Sequence, residues 1–195
     1  MSELPLFPLS TVLFPGGPLS LRIFETRYVD LIRRCLKEQS GFGVVLIKSG
    51  AEVGEVAQLA ECGTTARLID FESRPDGLLG VRCLGGERFR LLERRQQADG
   101  LHVASVQLIP GDQARPVPGE CAHLQALLRE LLPRVGEYAR VDTHYEEAGW
   151  VANRWAEILP LEADERQALL ELADPLARLA WVAEWVARQP AASSA

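Results

Sequence analysis

The hydrophobic positions at the start of the chain change their period from strand-like to helix-like. Residues 4–9 are apolar but include two prolines, which cannot donate a ladder hydrogen bond, so we expect this strand at a sheet edge or a bulge. Apolar and polar residues alternate over 19–23, which predicts a half-buried strand. An amphipathic helix follows and ends before Ser40. Its predicted apolar face comprises Phe24, Tyr28, Leu31, Ile32 and Cys35.

The stretch between residues 42 and 110 predicts strands joined by short turns. Residues 42–48 form a continuous apolar run, typical of a strand buried on both faces, and residues 49–58 predict a loop. Further strands are predicted over 64–71, 79–83, 89–92 and 101–109, with turns at 74–77, 85–86 and 98–100. Such a succession favours a strongly curled sheet or a small barrel.

Beyond residue 110 the hydrophobic pattern becomes helical. Residues 110–119 are rich in proline and glycine and predict a linker. Helices are predicted over residues 124–132 before Pro133, from Val151 to Leu159 before Pro160, over 162–172, and after the Asp174-Pro175 cap. The prediction is therefore an α+β fold with a β-rich part over 1–112, a linker over 113–119, a helical part over 120–189 and a flexible tail over 190–195.

Aromatic residues in two places leave two alternatives open. Trp181 and Trp185 lie four residues apart on the last predicted helix, away from its aliphatic stripe. They either pack within the helical part or present an apolar ridge to a partner. Phe14, in the apolar loop 12–15, either plugs the end of the barrel or lies exposed and binds an extended peptide.

Charge and cysteine usage exclude several classes of partner and location. The 195 residues carry a formal net charge of −6, which argues against a general nucleic-acid or anionic-membrane binder. We interpret the basic segment 88–90 as a solvated strand face. The start of the chain shows no signal peptide, and no apolar run reaches the roughly 20 residues of a membrane helix. The four cysteines, without a CxxC pair, are interpreted as buried reduced thiols of a cytoplasmic protein.

No motif for catalysis, a metal or a cofactor emerges from the sequence. The two lysines follow no phosphate-binding glycine motif, and the adjacent Lys48 and Ser49 face opposite ways on a strand. Cys121 and His123, two positions apart on a helix, do not face each other, and neither they nor His144 show metal-ligand spacing. His102 is interpreted as an exposed strand residue. We therefore predict a protein that is not an enzyme and has no cofactor or metal.

Several strings together carry a resemblance to a known family. They are Leu4-Pro5-Leu6-Phe7-Pro8-Leu9, Val12-Leu13-Phe14-Pro15-Gly16, residues 19–28, Ile158-Leu159-Pro160-Leu161 and Asp174-Pro175-Leu176. With these strings the chain resembles the Lon N-terminal domain, also called the Lon substrate-binding domain. This family occurs at the front of Lon ATP-dependent proteases, in cereblon and in stand-alone bacterial proteins, and the length of this chain matches the stand-alone kind. The resemblance implies a PUA-like pseudo-barrel followed by a helical bundle.

The resemblance also implies a function related to proteolysis. The serine-lysine dyad and the ATPase module of Lon lie on other domains, so the implied role is non-enzymatic polypeptide binding. The implied partners are unfolded or degron-bearing polypeptides, with an ATP-dependent protease acting in trans as one possible receiver. The expected site is an apolar groove between the two halves, aided by an open strand edge. The candidate binding residues are Phe14, Arg74 and Asp76.

Other interpretations remain open from the sequence. Glu25 and Arg27, with Arg22, form either a polar recognition site or an ion-pair network at the helix start, and we favour the network. A thiol hydrolase using Cys121 or Cys62 would require a thiol with a depressed pKa. A small-ligand or RNA pocket is a further alternative, since PUA-like folds elsewhere bind RNA. The sequence does not indicate the oligomeric state.

Overall fold

Strands make up the first half of the protein and helices the second, which confirms the predicted α+β class. The structure is a computed structural model that describes residues 2–50, 56–73 and 78–189. Within these ranges the strands are β1 (Ser2–Leu9), β2 (Pro18–Ile23), β3 (Phe42–Gly50), β4 (Val56–Ser73), β5 (Leu79–Gln96) and β6 (His102–Leu108). The α-helices are α1 (Thr26–Glu38), α2 (Ala122–Leu131), α3 (Ala148–Ile158), α4 (Ala163–Glu171) and α5 (Pro175–Arg188). The predicted turn at 74–77 and the predicted tail at 190–195 lie outside the described residues.

The six strands form one sheet that curls into a partly closed ring. The strand order is β2-β5-β4-β3-β1-β6, and an additional pairing between β5 and β6 closes the ring. The long β5 makes this possible because its two halves pair differently. Its first half pairs with β2 through residues 79–84, and its second half pairs with β6 through residues 89–96. β2 therefore lies beside the ring rather than within it.

The first strand corrects the expectation that its prolines place it at a sheet edge or a bulge, since both of its ladders run without a register shift. β1 lies between β3 and β6, parallel to the former and antiparallel to the latter. However, residues 2–5 pair with β6 and residues 6–9 pair with β3. Pro5 and Pro8 each lie in the half of the strand that has a ladder on one side. The proline rule thus holds at each residue, although it was wrong for the strand as a whole.

The glycine pair 85–86 also departs from the prediction, because it does not form a turn. β5 runs without a break through both glycines and includes the segment that was predicted as a separate strand. A Cβ on Gly85 would lie 2.1 Å from the carbonyl oxygen of Phe14, and a Cβ on Gly86 would lie 2.5 Å from the hydroxyl of Thr65. The glycines therefore permit close approach of neighbouring segments where the sheet bends.

Of two other connections predicted in the strand region, one differs from the structure and one is confirmed. The loop predicted over 49–58 is shorter, because β3 extends to Gly50 and β4 begins at Val56. Residues 51–55 lie outside the described ranges. The hairpin turn predicted at 98–100 is confirmed: the N–H of Gly100, at φ +83°, donates to the Gln97 carbonyl, and the Leu101 N–H donates to the Asp99 carboxylate.

Helix α1 packs on one side of the ring as its period predicts. Its buried residues are Tyr28, Leu31, Ile32 and Cys35. The aromatic side chain of Phe7 on β1 stacks on the aromatic side chain of Tyr28, with their centroids 4.0 Å apart. The helix ends at Gln39, which is left-handed at φ +52°. The assignment of Phe24 to this face is wrong, because Phe24 precedes the helix and is 61% exposed.

The other helices share a hydrophobic core with the interior of the ring. This cluster unites Leu6 and Phe89 of the strands with Leu124, Val151 and Leu179 of the helices. Helix α3 is the centre of the helical part, since every residue from Ala148 to Ala156 is buried. One hydrophobic core joins the β-rich part and the helical part. The division of the chain at residues 113–119 therefore stays a prediction.

The predicted helix signals at the end of the chain are confirmed. The Asp174 carboxylate accepts a 3.0 Å hydrogen bond from the N–H of Leu176, and Pro175 is the first residue of α5. Trp181 and Trp185 are half-buried against the common core, which agrees with the packing alternative. Among the described residues, no helix is both long and apolar enough to cross a bilayer.

Candidate functional site

The outer side of β2, which we name the β2 edge, is the first candidate site. Within the described residues no strand pairs with this side of β2. Gly85 of β5 donates its N–H to the Gly17 carbonyl and accepts from the Gly16 N–H, so both of its polar groups face the chain that leads into β2. The alternation of an antiparallel ladder then directs the N–H and C=O of Ser20 away from β5. These groups are placed to pair with an additional strand.

Two exposed aromatic side chains lie at the end of the sheet that contains β2. Phe24 directly follows β2 in the chain, and Phe71 of β4 is 56% exposed. Phe71 lies opposite Val81 of β5, which in turn lies opposite Leu21 of β2. Exposed phenylalanine rings are unfavourable in water and often mark surfaces that bind another molecule. This end of the sheet therefore combines open backbone groups with aromatic surface.

A hollow of about 380 Å³ lies over the same three strands. Gly80 lies between Glu72 of β4 and Arg22 of β2 in the strand register, and its missing side chain helps to form the floor. Asp70 and Arg82 also line the hollow, and their side chains are 3.6 Å apart. Since both signs of charge are present, the hollow is suited to the mixed dipoles of a polypeptide rather than to a polyanion.

The start of α1 is fixed by an ion pair, which confirms the network interpretation for Glu25 and Arg27. The two side chains are 2.7 Å apart. The guanidinium of Arg27 also donates to the Gly100 carbonyl over 3.0 Å, and it lies 4.7 Å from the ring centroid of Tyr28. These contacts join the helix start to the turn between β5 and β6. Arg22 instead lines the hollow over the strands.

A cleft between the ring and the helices is the second candidate site, and we name it the barrel–helix cleft. Its volume is about 290 Å³, and its walls come from the Pro15–Gly16 loop, the β5 segment 86–88, the linker segment 111–115 and α3. It corresponds in position to the groove expected between the two halves. Its surface is more apolar than polar, and its charged lining side chains include Arg88, Asp112 and Glu147.

Below the barrel–helix cleft, two buried arginines share one carboxylate. Arg88 of β5 donates to Asp112 over 2.9 Å, and Arg178 of α5 donates to the other oxygen of Asp112 over 2.6 Å. The two guanidiniums also donate to the carbonyls of Leu170 and Leu172. Arg88 is 6% exposed, so its interpretation as a solvated strand residue is wrong. Burial lowers the pKa of Arg88, and the adjacent Asp112 opposes that shift.

A comparison with known protein families identifies the family of this chain. Residues 3–188 match the model of the ATP-dependent protease La (LON) substrate-binding domain. The chain belongs to this family. What is matched is the substrate-binding domain, and not the protease or ATPase domains of Lon.

Solved structures agree with the assignment to the Lon family. The fold is similar to the crystal structure of a Lon N-terminal domain protein from Xanthomonas campestris, with a TM-score of 0.79 and 36% sequence identity over 97% of this chain and 100% of that chain. It is also similar to the N-terminal domain of Lon protease from the Mycobacterium avium complex, with a TM-score of 0.70. At 15% identity that second likeness concerns the fold alone.

Longer relatives of this Lon domain include proteases and cereblon. Lon protease 2 from Myxococcus xanthus is 28% identical over 194 residues, which cover 95% of this chain and 24% of the relative. Cereblon from Xenopus tropicalis is 31% identical over 134 residues, which cover 67% of this chain and 29% of the relative. The chain thus spans less than a third of the length of these relatives.

Of the three candidate residues predicted from the sequence, the structure describes only Phe14. Phe14 is fully buried in the common core, so it plugs the ring and is not exposed to a ligand. Arg74 and Asp76 lie outside the described residues. Sequence reasoning missed Phe71, which stands between Asp70 and Glu72 in a predicted strand. Its polar neighbours point to the opposite face of the strand, so the alternation predicted a buried Phe71 and gave no signal of its exposure.

The cysteines and histidines of the Lon domain show little sign of reactivity. Burial raises the pKa of the Cys62 thiol to about 11 and that of Cys83 to about 12, and it also raises the pKa of Cys35 and Cys121. His102 is buried, so its interpretation as an exposed residue is wrong. Over the described ranges, no three His, Cys, Asp or Glu side chains lie together as a metal site.

Proposed function

We propose that this Lon substrate-binding domain is a non-enzymatic module that binds extended segments of unfolded or degron-bearing polypeptides at the β2 edge. The observation that carries the proposal is the open side of β2, with the exposed aromatic residue Phe24 directly after the strand. The role in substrate binding that the family description names is consistent with this site.

Binding at the β2 edge would use backbone groups for affinity and side chains for preference. An added strand pairs with the N–H and C=O of residues such as Ser20, and this pairing does not depend on the sequence of the bound segment. The ring of Phe24, which directly follows β2, offers apolar contact to its side chains. A polypeptide with exposed hydrophobic residues then binds better than a polar one.

The same geometry discriminates unfolded from folded polypeptides. In a folded protein nearly all backbone polar groups are already paired, so few extended segments are free to join another sheet. An unfolded chain presents such segments along its whole length. The β2 edge would therefore select the class of polypeptide that an ATP-dependent protease degrades, and we propose such a protease, acting in trans, as the receiver of the bound chain.

The alternative of a thiol hydrolase finds no support in the four cysteines. Burial raises the pKa of each thiol, whereas a nucleophilic cysteine requires a lowered pKa. The four free thiols fit the cytoplasmic location that we propose. The net charge of −6 does not favour RNA as a ligand.

A fluorescence-anisotropy titration tests the proposal. A labelled, permanently unfolded polypeptide is titrated with the protein, and the folded form of the same polypeptide serves as the control. We expect saturable binding of the unfolded form and little binding of the folded form. Equal affinity for both forms, or no binding of either at high micromolar concentration, would contradict the proposal.

The substitution Phe24→Ala tests the position of the site in the same titration. Removal of the ring should weaken binding about tenfold, since an apolar contact of this size contributes about 1–2 kcal/mol. The matched control is Leu92→Ala, which removes another exposed apolar side chain from the half of β5 that pairs with β6. We expect Leu92→Ala to bind like the unsubstituted protein. A loss of equal size in both variants would place the site elsewhere.

A further inference from the structure

One face of β2 is apolar and belongs to the hydrophobic core beneath α1. Leu19 lies opposite Cys83 of β5 in the strand register. Leu21 lies opposite Val81. Cys83 and Val81 are both buried in the core that also contains the apolar side of α1. Residues opposite each other in an antiparallel ladder share a face of the sheet, so the two leucines point towards this core.

The other face of β2 is polar and open to solvent. Ser20 and Arg22 are exposed. In the register they lie opposite Arg82, which is also exposed, and Gly80, which has no side chain. Successive side chains of a strand point to opposite faces, so any segment that pairs with β2 meets an apolar surface on one face and a polar surface on the other.

The apolar layer between the sheet and α1 is incompletely covered at the β2 edge. Leu19 and Leu21 pack against the core, but both are only half-buried. Within the described residues, β2 is the last strand on this side of the sheet. An added strand would place one more row of side chains next to the two leucines. Apolar side chains in that row would remove leucine surface from water.

The backbone pattern of β2 determines how closely an added strand approaches each leucine. The N–H and C=O of Ser20 are directed to the open side, and by the same alternation so are those of Arg22. In an antiparallel addition, the residue opposite Leu21 is then a non-hydrogen-bonded partner. Side chains are closest in such pairs, whose Cα atoms are about 4.5 Å apart. Leu21 is therefore well placed to contact a side chain of the added strand.

We propose that the β2 edge selects polypeptide segments in which apolar and polar residues alternate, with the apolar residues opposite Leu19 and Leu21. This inference rests on the proposed function and names the substrate class of the same site. A matching segment places two apolar side chains, at positions i and i+2, against the leucines, and its polar residues lie beside Ser20 and Arg22 in water. The order of residues in the segment, and not its hydrophobic content alone, then determines the affinity.

Two labelled peptides of equal length and composition test this inference by fluorescence anisotropy. In the first peptide valine and threonine alternate singly, so that one face of the extended peptide carries only valine. In the second they alternate in pairs, so that each face carries valine at every second position only. Valine and threonine are both β-branched and favour strands, so the peptides differ in the placement of their apolar groups. Lysine residues at both ends keep the peptides soluble.

We expect the singly alternating peptide to bind about threefold to fivefold more tightly, because it forms one more apolar cross-strand pair. The substitution Leu21→Thr removes an apolar partner and should bring the ratio of the two affinities close to one. Leu68→Thr is the matched control. Leu68 is also partly buried against the same core, but it lies on β4, which β5 separates from β2. This variant should keep the ratio of the unsubstituted protein.

Equal affinity for the two peptides, or binding of neither, would overturn this inference, and binding of the unfolded polypeptide would then still support the proposed function. A preference that persists in a folded Leu21→Thr variant would also overturn it, because the preference would then arise elsewhere. If the unfolded polypeptide did not bind either, the proposed function would fail together with the inference. The unsubstituted protein gives the decisive ratio, so a folding defect in a variant does not affect the decision.

Discussion

His102 shows how strongly one buried residue links stability to pH. It is the first residue of β6, and neither ring nitrogen has a hydrogen-bond partner among the described residues. Burial lowers the pKa of His102, and the nearby Arg94 and Arg27 lower it further. The folded state therefore favours the neutral imidazole, while the unfolded chain takes up a proton at the ordinary pKa.

The substitution His102→Leu should reduce the loss of stability in acid. Above the unfolded pKa, near pH 6.5, both states are neutral and His102 contributes no pH dependence. As the pH falls below that value, only the unfolded state binds the proton, so the free energy of unfolding decreases by at most about 1.4 kcal/mol per pH unit. Urea unfolding at about pH 7.5 and about pH 5.5 measures this change.

A control separates this effect from the general loss of a histidine. His123→Ala removes an exposed imidazole on α2 and should keep the pH dependence of the unsubstituted protein. Our account would be contradicted if His102→Leu lost as much stability in acid as the unsubstituted protein does. It would also be contradicted if His123→Ala and His102→Leu behaved alike.

The burial of individual side chains was predicted well on α1 and poorly on the strands. Tyr28 and Leu31 follow the helical period, so their burial could be read from spacing alone. Arg88 and His102 occupy strand positions whose burial depends on which other element covers that face. Arg88 is covered by the ends of α4 and the linker through Leu170 and Asp112, which are distant in the sequence. Local alternation carries no information about such cover.

Strand β5 is the element on which the ring depends. Its two halves pair with β2 and with β6, and the glycine pair 85–86 lies between them. The carbonyl of Phe14 lies so close to Gly85 that a Cβ there would be 2.1 Å away. The glycine thus lets the loop before β2 lie against the strand while Phe14 fills the core.

The substitution Gly85→Ala should destabilise the protein by about 1–3 kcal/mol or more, because the added methyl group overpacks a backbone contact. Gly119→Ala is the matched control, since nothing lies within 4 Å of its Cβ position. Thermal unfolding followed by circular dichroism measures both. A melting temperature in Gly85→Ala equal to that of Gly119→Ala would show that β5 does not need the close approach.

Whether the start or end of an element could be predicted depends on how local its sequence signal is. The cap at Asp174-Pro175 acts within a few residues, so the start of α5 could be predicted. The pair 85–86 has the same local appearance as a hairpin turn, and only its contact with Phe14 shows that the strand continues. The sequence also could not show which strand lies at the sheet edge, because strand order follows from long-range pairing.

At the scale of the whole molecule, the ring and the helices form one unit. They share a hydrophobic core, and Arg88, Asp112 and Arg178 connect β5, the linker and α5 across the boundary. The family and the α+β fold could be predicted from the sequence strings. The candidate site could not be predicted, because the β2 edge depends on the complete strand order. The apolar loop 12–15 suggested Phe14 as a binding residue instead, and Phe14 is buried.

The most direct test of the proposed function is the affinity of Ser20→Pro for an unfolded polypeptide. Ser20 is exposed, and its N–H is directed to the open side of β2, so proline removes a donor that the fold does not use. Ser20→Ala is the matched control, since it removes the hydroxyl and keeps the N–H. Circular dichroism verifies that both variants are folded.

We predict that Ser20→Pro weakens binding of the unfolded polypeptide about tenfold or more, as expected when a backbone hydrogen bond is lost and an added strand is obstructed. Ser20→Ala should bind as the unsubstituted protein does. If a folded Ser20→Pro variant bound the unfolded polypeptide with unchanged affinity, strand addition at the β2 edge would be contradicted.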